Sequence, residues 1–143
     1  MPKYGDKTAK ALDNYLKGYK LPTGTTRSGL VAPIKDLQRN YNTMKTMNLN
    51  PSDHFFHCKA NYEATSRGSI GEKVAEKLGN AKENFDYYYN QAWKGLSKQE
   101  AHKDRIHDRT VNKTGRQREK SGLYKNSRDG CKSYRVRGIN DKY

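Results

Sequence analysis

His54 and His57 stand three residues apart in Asp53-His54-Phe55-Phe56-His57-Cys58, and Asp104 and Asp108 stand four apart in a second segment. Either spacing places both members on one face of a helix. Two imidazoles with two carboxylates have the donors for a transition metal or for general acid–base chemistry. A nuclease would use such a set with cations clamping the phosphate. A buried His–Asp hydrogen bond between two helices accounts for the same residues without chemistry. Cys58 directly follows His57, but neighbours on a helix point about 100° apart and pair poorly as nucleophile and base. A buried small hydrophobe is the better reading of Cys58. There is no P-loop, dinucleotide fingerprint, zinc-spaced Cys/His set or G-x-S-x-G, so no metal and no cofactor is expected.

A second group of residues could bind rather than react. Lys113, Arg116, Arg118, Lys120, Lys125, Arg128, Lys132, Arg135 and Arg137 crowd the last 31 residues, with Tyr124 and Tyr134 among them. Cations bind phosphate or sulfate, and the tyrosines could stack on bases. No recognised nucleic-acid motif accompanies them. The net charge is +14, divided as +6 in residues 1–50, zero in 51–95 and +8 in 96–143. A neutral centre with basic flanks suits an anionic partner: nucleic acid, lipid headgroup or sulfated glycan. The plainer account is that Lys and Arg keep a thin-cored chain soluble.

The elements that must position these residues are helices. Leu, Ile, Val and Phe make only 20 of 143 residues, and eleven Tyr and one Trp partly compensate. One helix is expected over about Asp6–Lys20, from Leu12, Tyr15, Leu16 and Tyr19. A second runs from Pro33 to about Asn48 on Ile34, Leu37, Tyr41 and Met44. A third starts at Ser52 or Asp53 and stops at Arg67-Gly68, with Phe55, Cys58 and Tyr62 beside Phe56, Ala60 and Ala64. A fourth carries Ile70, Val74, Leu78, Ala81, Phe85, Tyr88 and Ala92 and closes at Lys94-Gly95. A fifth, Ser97 to about Thr114, has sparse apolar positions at Ala101, Ile106 and Val111. Composition gives residues 116–143 no regular structure. The organisation expected is an N-terminal helix and linker (1–30) and a helical domain with its tail (31–143).

Met1-Pro2-Lys3-Tyr4 leads into Asp6-Lys7-Thr8 without the apolar region of a signal peptide, and no apolar run is long enough to span a membrane. The expectation is synthesis in the cytoplasm, with a secretion system or a particle as a route onward. In that setting Cys58 and Cys131 are expected as free thiols.

Asp53–Gly68 resembles D-x-[YF]-F-H-x-x-x-N-Y-[DE]-A-x-x-R-G of the serum amyloid A family, through Asp53, Phe55, Phe56, His57, Asn61, Tyr62, Glu63, Ala64, Arg67 and Gly68. Ala81-Lys82-Glu83-Asn84 is similar to that family's A-[RK]-E-N. Asp104, Ile106, Asp108, Asn112, Gly115 and Arg116 resemble D-x-[LI]-x-D-x-x-x-N-x-x-G-R. Tyr134–Tyr143 is similar to the family's C-terminal aromatic-R-x-x-G-[LI]-x-x-K-Y. The resemblance implies an all-α fold: a four-helix bundle built from the second to fifth helices, with the C-terminal tail wrapped on it. The first helix is then an addition, and a surface for a protein partner. It implies that Arg67, Asp108, Asn112 and Arg116 are polar ties between helix ends and tail, which favours a packing role for the His/Asp set. Family members are secreted acute-phase proteins that bind lipoprotein, retinol-like lipids and heparan sulfate. This chain differs in its extra N-terminal residues, an insertion between Glu83 and Asp104, and its higher basic charge.

The leading functional reading is a non-enzymatic helical protein whose basic flanks engage a polyanion. His57-Cys58 and the Asp104–Gly115 helix also look like C-terminal segments of bacterial Rhs-type polymorphic toxins. The alternatives are therefore an antagonistic effector using the His/Asp set, or a structural component of a phage or secretion particle.

Overall fold

The computed structural model describes residues 27–47 and 52–143. The helix expected over Asp6–Lys20 lies outside them. Four helices make the body: α1 (Arg27–Met47), α2 (Asp53–Thr65), α3 (Ser69–Trp93) and α4 (Lys98–Ser121). A one-turn helix, α5 (Ser127–Gly130), and a 3-10 turn (Lys132–Tyr134) follow, and the described residues contain no strand.

α2 is the central helix. Phe55, Phe56, Cys58, Ala60 and Ala64 are fully buried, and so is the polar residue Asn61. A helix covered on all sides packs against every neighbour, and α1, α3, α4, α5 and the 3-10 turn all contact it. Both stripes expected on this segment are buried. Gly68, at φ 103°, makes the turn from α2 into α3 in a conformation that side-chain-bearing residues rarely adopt.

α1 begins six residues before Pro33 and carries the proline inside it. Proline there lacks an N–H for the helix ladder. Leu30, Ile34 and Leu37 on either side pack against the core and hold the extra turns in place. Leu37, Tyr41 and Met44 are buried as their spacing predicts.

α3 departs from its apolar periodicity in its second half. Val74 and Leu78 are buried, but Tyr88 is 67% exposed and Ala92 is exposed. Among the described side chains there, Lys82, Glu83 and Tyr87 are buried. Hydrophobic spacing misreads this stretch because the buried face is charged.

α4 starts at a Ser97 cap whose side chain accepts a hydrogen bond from the Glu100 N–H at 3.1 Å. It continues through Gly115 to Ser121, seven residues past Thr114. Gly115 is a contact point rather than a stop: a Cβ there would overlap the Cys58 carbonyl of α2. Gly122, at φ 68°, ends the helix in the left-handed region. Ile106, one of the sparse apolar positions of this helix, is 52% exposed.

The tail lies against the bundle. Ile139 and Cys131 are buried, and the rings of Tyr143 and Phe56 meet edge to face at 5.8 Å. The Arg118 guanidinium donates to the Gly130 carbonyl at 2.8 Å, and Arg135 donates to the Tyr143 main-chain oxygen at 2.7 Å. A disulfide joins Cys58 of α2 to Cys131. This overturns the expectation of free thiols. The cysteines are 73 positions apart in sequence, and only the folded-back tail brings their Cα atoms to 5.8 Å.

Candidate functional site

Two places concentrate functional side chains: a buried polar cluster where α2, α3 and α4 meet, and a basic depression on the tail.

His57 (α2), Glu83 (α3) and Asp108 (α4) each contribute one donor atom to a group whose members lie within 4.8 Å of one another. His57 is 2% and Glu83 0% exposed, while the Asp108 side chain retains 21%. His57 Nδ1 lies 3.2 Å from Glu83 Oε1, at ion-pair distance, and the Glu83 and Asp108 side chains interact with each other. Asn112 Nδ2 approaches Glu83 Oε1 at 3.4 Å. On the other side of Glu83 the chain places Lys82, whose Nζ meets Asp86 at 2.6 Å.

Burial and charge oppose each other here. Burial disfavours the His57 cation, but the Glu83 carboxylate outweighs it and raises the imidazole above its ordinary range. Burial likewise opposes the Glu83 charge, yet His57 and Lys82 hold that carboxyl down at about 2. Burial, with the Glu83 charge adding to it, pushes Asp108 up to about 7, and His57 pulls the other way. Asp86 is raised by burial first and by Asp108 second.

The four residues singled out for chemistry do not form one constellation. His57 and Asp108 join the buried cluster. His54 lies at its outer edge, with Nε2 3.7 Å from Asp108 Oδ1 and its ring 4.2 Å from that of His107. Asp104 is exposed one turn away. Glu83 is the member that the chemistry-based reading omits. Its signal in the sequence is the Ala81-Lys82-Glu83-Asn84 block, which is similar to A-[RK]-E-N.

Of the residues expected as polar ties, Arg67 grips the buried Asp36 carboxylate of α1 through Nε at 2.8 Å and Nη2 at 3.1 Å. Arg116 donates to Asn61 Oδ1 at 2.9 Å, joining α4 to α2. Asp108 and Asn112 line the buried cluster.

The basic residues fall into two groups. Arg116, Arg118, Arg128 and Arg135 make hydrogen bonds within the fold. Lys113, Lys125, Lys132 and Arg137 are exposed and make no ion pair among the described residues, and Lys120 pairs with Glu72 at 3.0 Å. Lys125, Asn126, Arg128, Asp129, Lys132 and Arg135 line an open depression of about 370 Å³. Four cations face one carboxylate there. No described helix is long and apolar enough to cross a membrane.

A family profile described as "Serum amyloid A protein" matches residues 26–143. Serum amyloid A protein of Bos taurus is 31% identical over 109 residues, covering 76% of each chain. Serum amyloid A-1 protein of Mus musculus is 34% identical over 108 residues, 76% of this chain and 73% of its own. Serum amyloid A-3 protein of Oryctolagus cuniculus is 43% identical over 51 residues, 36% of this chain and 42% of its own. No solved structure gives a significant match. An all-helical bundle carrying its tail, and a match over 118 consecutive residues, lead to one conclusion: the chain belongs to the serum amyloid A family.

Proposed function

We propose that this protein binds polyanions through the basic surface of its folded tail. The observation that carries the reading is the depression lined by Lys125, Arg128, Lys132 and Arg135, of which Asp129 alone is acidic. Arg128 and Arg135 are held by main-chain oxygens, so part of the cationic lining is preorganised. Lys125 and Lys132 add exposed charge to it. Phosphate and sulfate groups both suit such a set.

The test is binding to heparin, to single-stranded RNA and to vesicles containing phosphatidylserine, each across a salt series. Log affinity for RNA should fall by about 0.7 per phosphate neutralised for each tenfold rise in salt. The preferred anion among the three names the partner class. Affinity for all three that is absent at low salt, or flat from low to physiological salt, overturns the proposal.

The catalytic alternative has less support. A catalytic pair must touch its substrate, whereas His57 and Glu83 are buried and Asp104 stands apart from them. The particle-component alternative rests on the Asp6–Lys20 segment, outside the described residues.

A further inference from the structure

We propose that His57, Glu83 and Asp108 form a binding site for a divalent transition metal of borderline softness, such as zinc or cobalt. This goes beyond polyanion binding and uses none of the same residues.

Three observations carry it. The donor atoms come from three different helices and already lie within 4.8 Å of one another. Ligand bonds of about 2.0–2.2 Å separate tetrahedral donors by roughly 3.4 Å, so the widest pair must close by about 1.4 Å. Asp108 is the member with freedom to do so, since it alone retains exposure.

Buried donor capacity is also unused. Glu83 Oε2 has no hydrogen-bond partner among the described residues, and His57 Nδ1 has only its ion-pair contact with Glu83 Oε1 at 3.2 Å, although both side chains are at least 98% buried. Such atoms are costly to leave bare, and a bound cation satisfies both. Finally, three carboxylates (Glu83, Asp86 and Asp108) face two cationic groups (His57 and Lys82). The cluster therefore holds more carboxyl groups than cationic partners. Lys82 meets Asp86 at 2.6 Å and also acts on Glu83.

One imidazole and two carboxylates suit zinc and its neighbours, whereas magnesium and calcium favour all-oxygen shells of six or more ligands. Asp108 and the partly exposed His54, 3.7 Å apart, mark the outer edge by which an ion would enter.

The experiment uses the full chain after EDTA treatment and dialysis, titrated with CoCl2 and followed by visible absorption. The expected result is a ligand-field band saturating at one ion per chain, abolished by ZnCl2 and unaffected by excess MgCl2 or CaCl2. Glu83→Gln is expected to lose the band, but its burial puts the bundle itself at risk. Asp108→Asn is therefore the decisive variant, because its rim position lets the fold survive, as circular dichroism would check. It should weaken cobalt binding at least about tenfold. His107→Ala controls for adventitious binding at the exposed His54/His107 pair and should leave the band in place. The proposal is overturned if wild type gives no band, if folded Asp108→Asn binds as wild type does, or if His107→Ala removes the band.

Discussion

Glu83 has no exposed surface, and its charge is tolerable only because His57 and Lys82 stand beside it. Glu83→Gln leaves the His57 partner uncompensated, and breaking a buried pair from one side costs about 3–5 kcal/mol. Urea unfolding would read this as a fall in midpoint at unchanged slope. A loss below about 1 kcal/mol would show that the pair does not hold the helices. The pH dependence is a second consequence of the same residues. Glu83 ionises in the fold at about 2 against an ordinary 4.5, so its contribution is complete above pH 4.5 and lost as pH falls toward 2. Asp108 has the opposite sign. Its folded value of about 7 exceeds the ordinary 3.8, so its contribution is complete below 3.8 and lost as pH rises through 7. His57, raised above 6.5, adds stability that is complete below 6.5 and is lost as pH rises through its raised value. In EDTA, melting temperature should therefore decline from about pH 4 to 7, and Asp108→Asn should flatten that decline. An unchanged slope in Asp108→Asn would assign the decline elsewhere.

At the scale of elements, α2 and α4 approach so closely that Gly115 has no room for a side chain. Helix propensity alone would favour Gly115→Ala by about 1 kcal/mol. The overlap is with main chain at Cys58, which cannot swing aside, so the helices must separate. Overpacking of this kind costs about 1–3 kcal/mol, and the net effect should be destabilising. A raised melting temperature for Gly115→Ala would contradict the close crossing. The same α2 residue anchors the tail. The Cys58–Cys131 disulfide closes a loop spanning 73 positions, for which chain entropy predicts a contribution of about 4 kcal/mol. Cys131→Ala should lower the unfolding free energy by that order, read as a fall in the urea midpoint, and proteolysis should then cut first within residues 122–143. Equal protease resistance in mutant and wild type would mean that Arg118, Arg135 and Ile139 hold the tail unaided.

For the whole molecule, charge is segregated by use as well as by position. Arginines with planar forks serve the fold, as at Arg67 with Asp36 and Arg135 with the Tyr143 oxygen, while most exposed positive charge in the tail is lysine. The triple change Lys125→Ala, Lys132→Ala, Arg137→Ala should therefore leave the melting temperature nearly unchanged. Each removed cation leaves one phosphate with its counterion, so the slope of log affinity against log salt on single-stranded RNA should shrink by up to about 2, at roughly 0.7 per phosphate. A fold that melts early in this variant would place those residues with the structural set instead.

The helices were legible wherever apolar spacing coincided with burial. Leu37, Tyr41 and Met44 of α1 and Phe55 and Phe56 of α2 are buried where period and residue type place them. The amino-acid sequence by itself also determined the family, because four short blocks in order are specific together, and with it the folded tail that composition alone denied. Tertiary structure decided the rest. It turned α3 so that Lys82 and Glu83 face inward and Tyr88 outward, carried α4 through Gly115, and paired two cysteines expected to be free. Each of these depends on which distant groups meet. A buried charge is read from its partner, a helical glycine from the backbone that crosses it, and a disulfide from the fold that brings its two ends together.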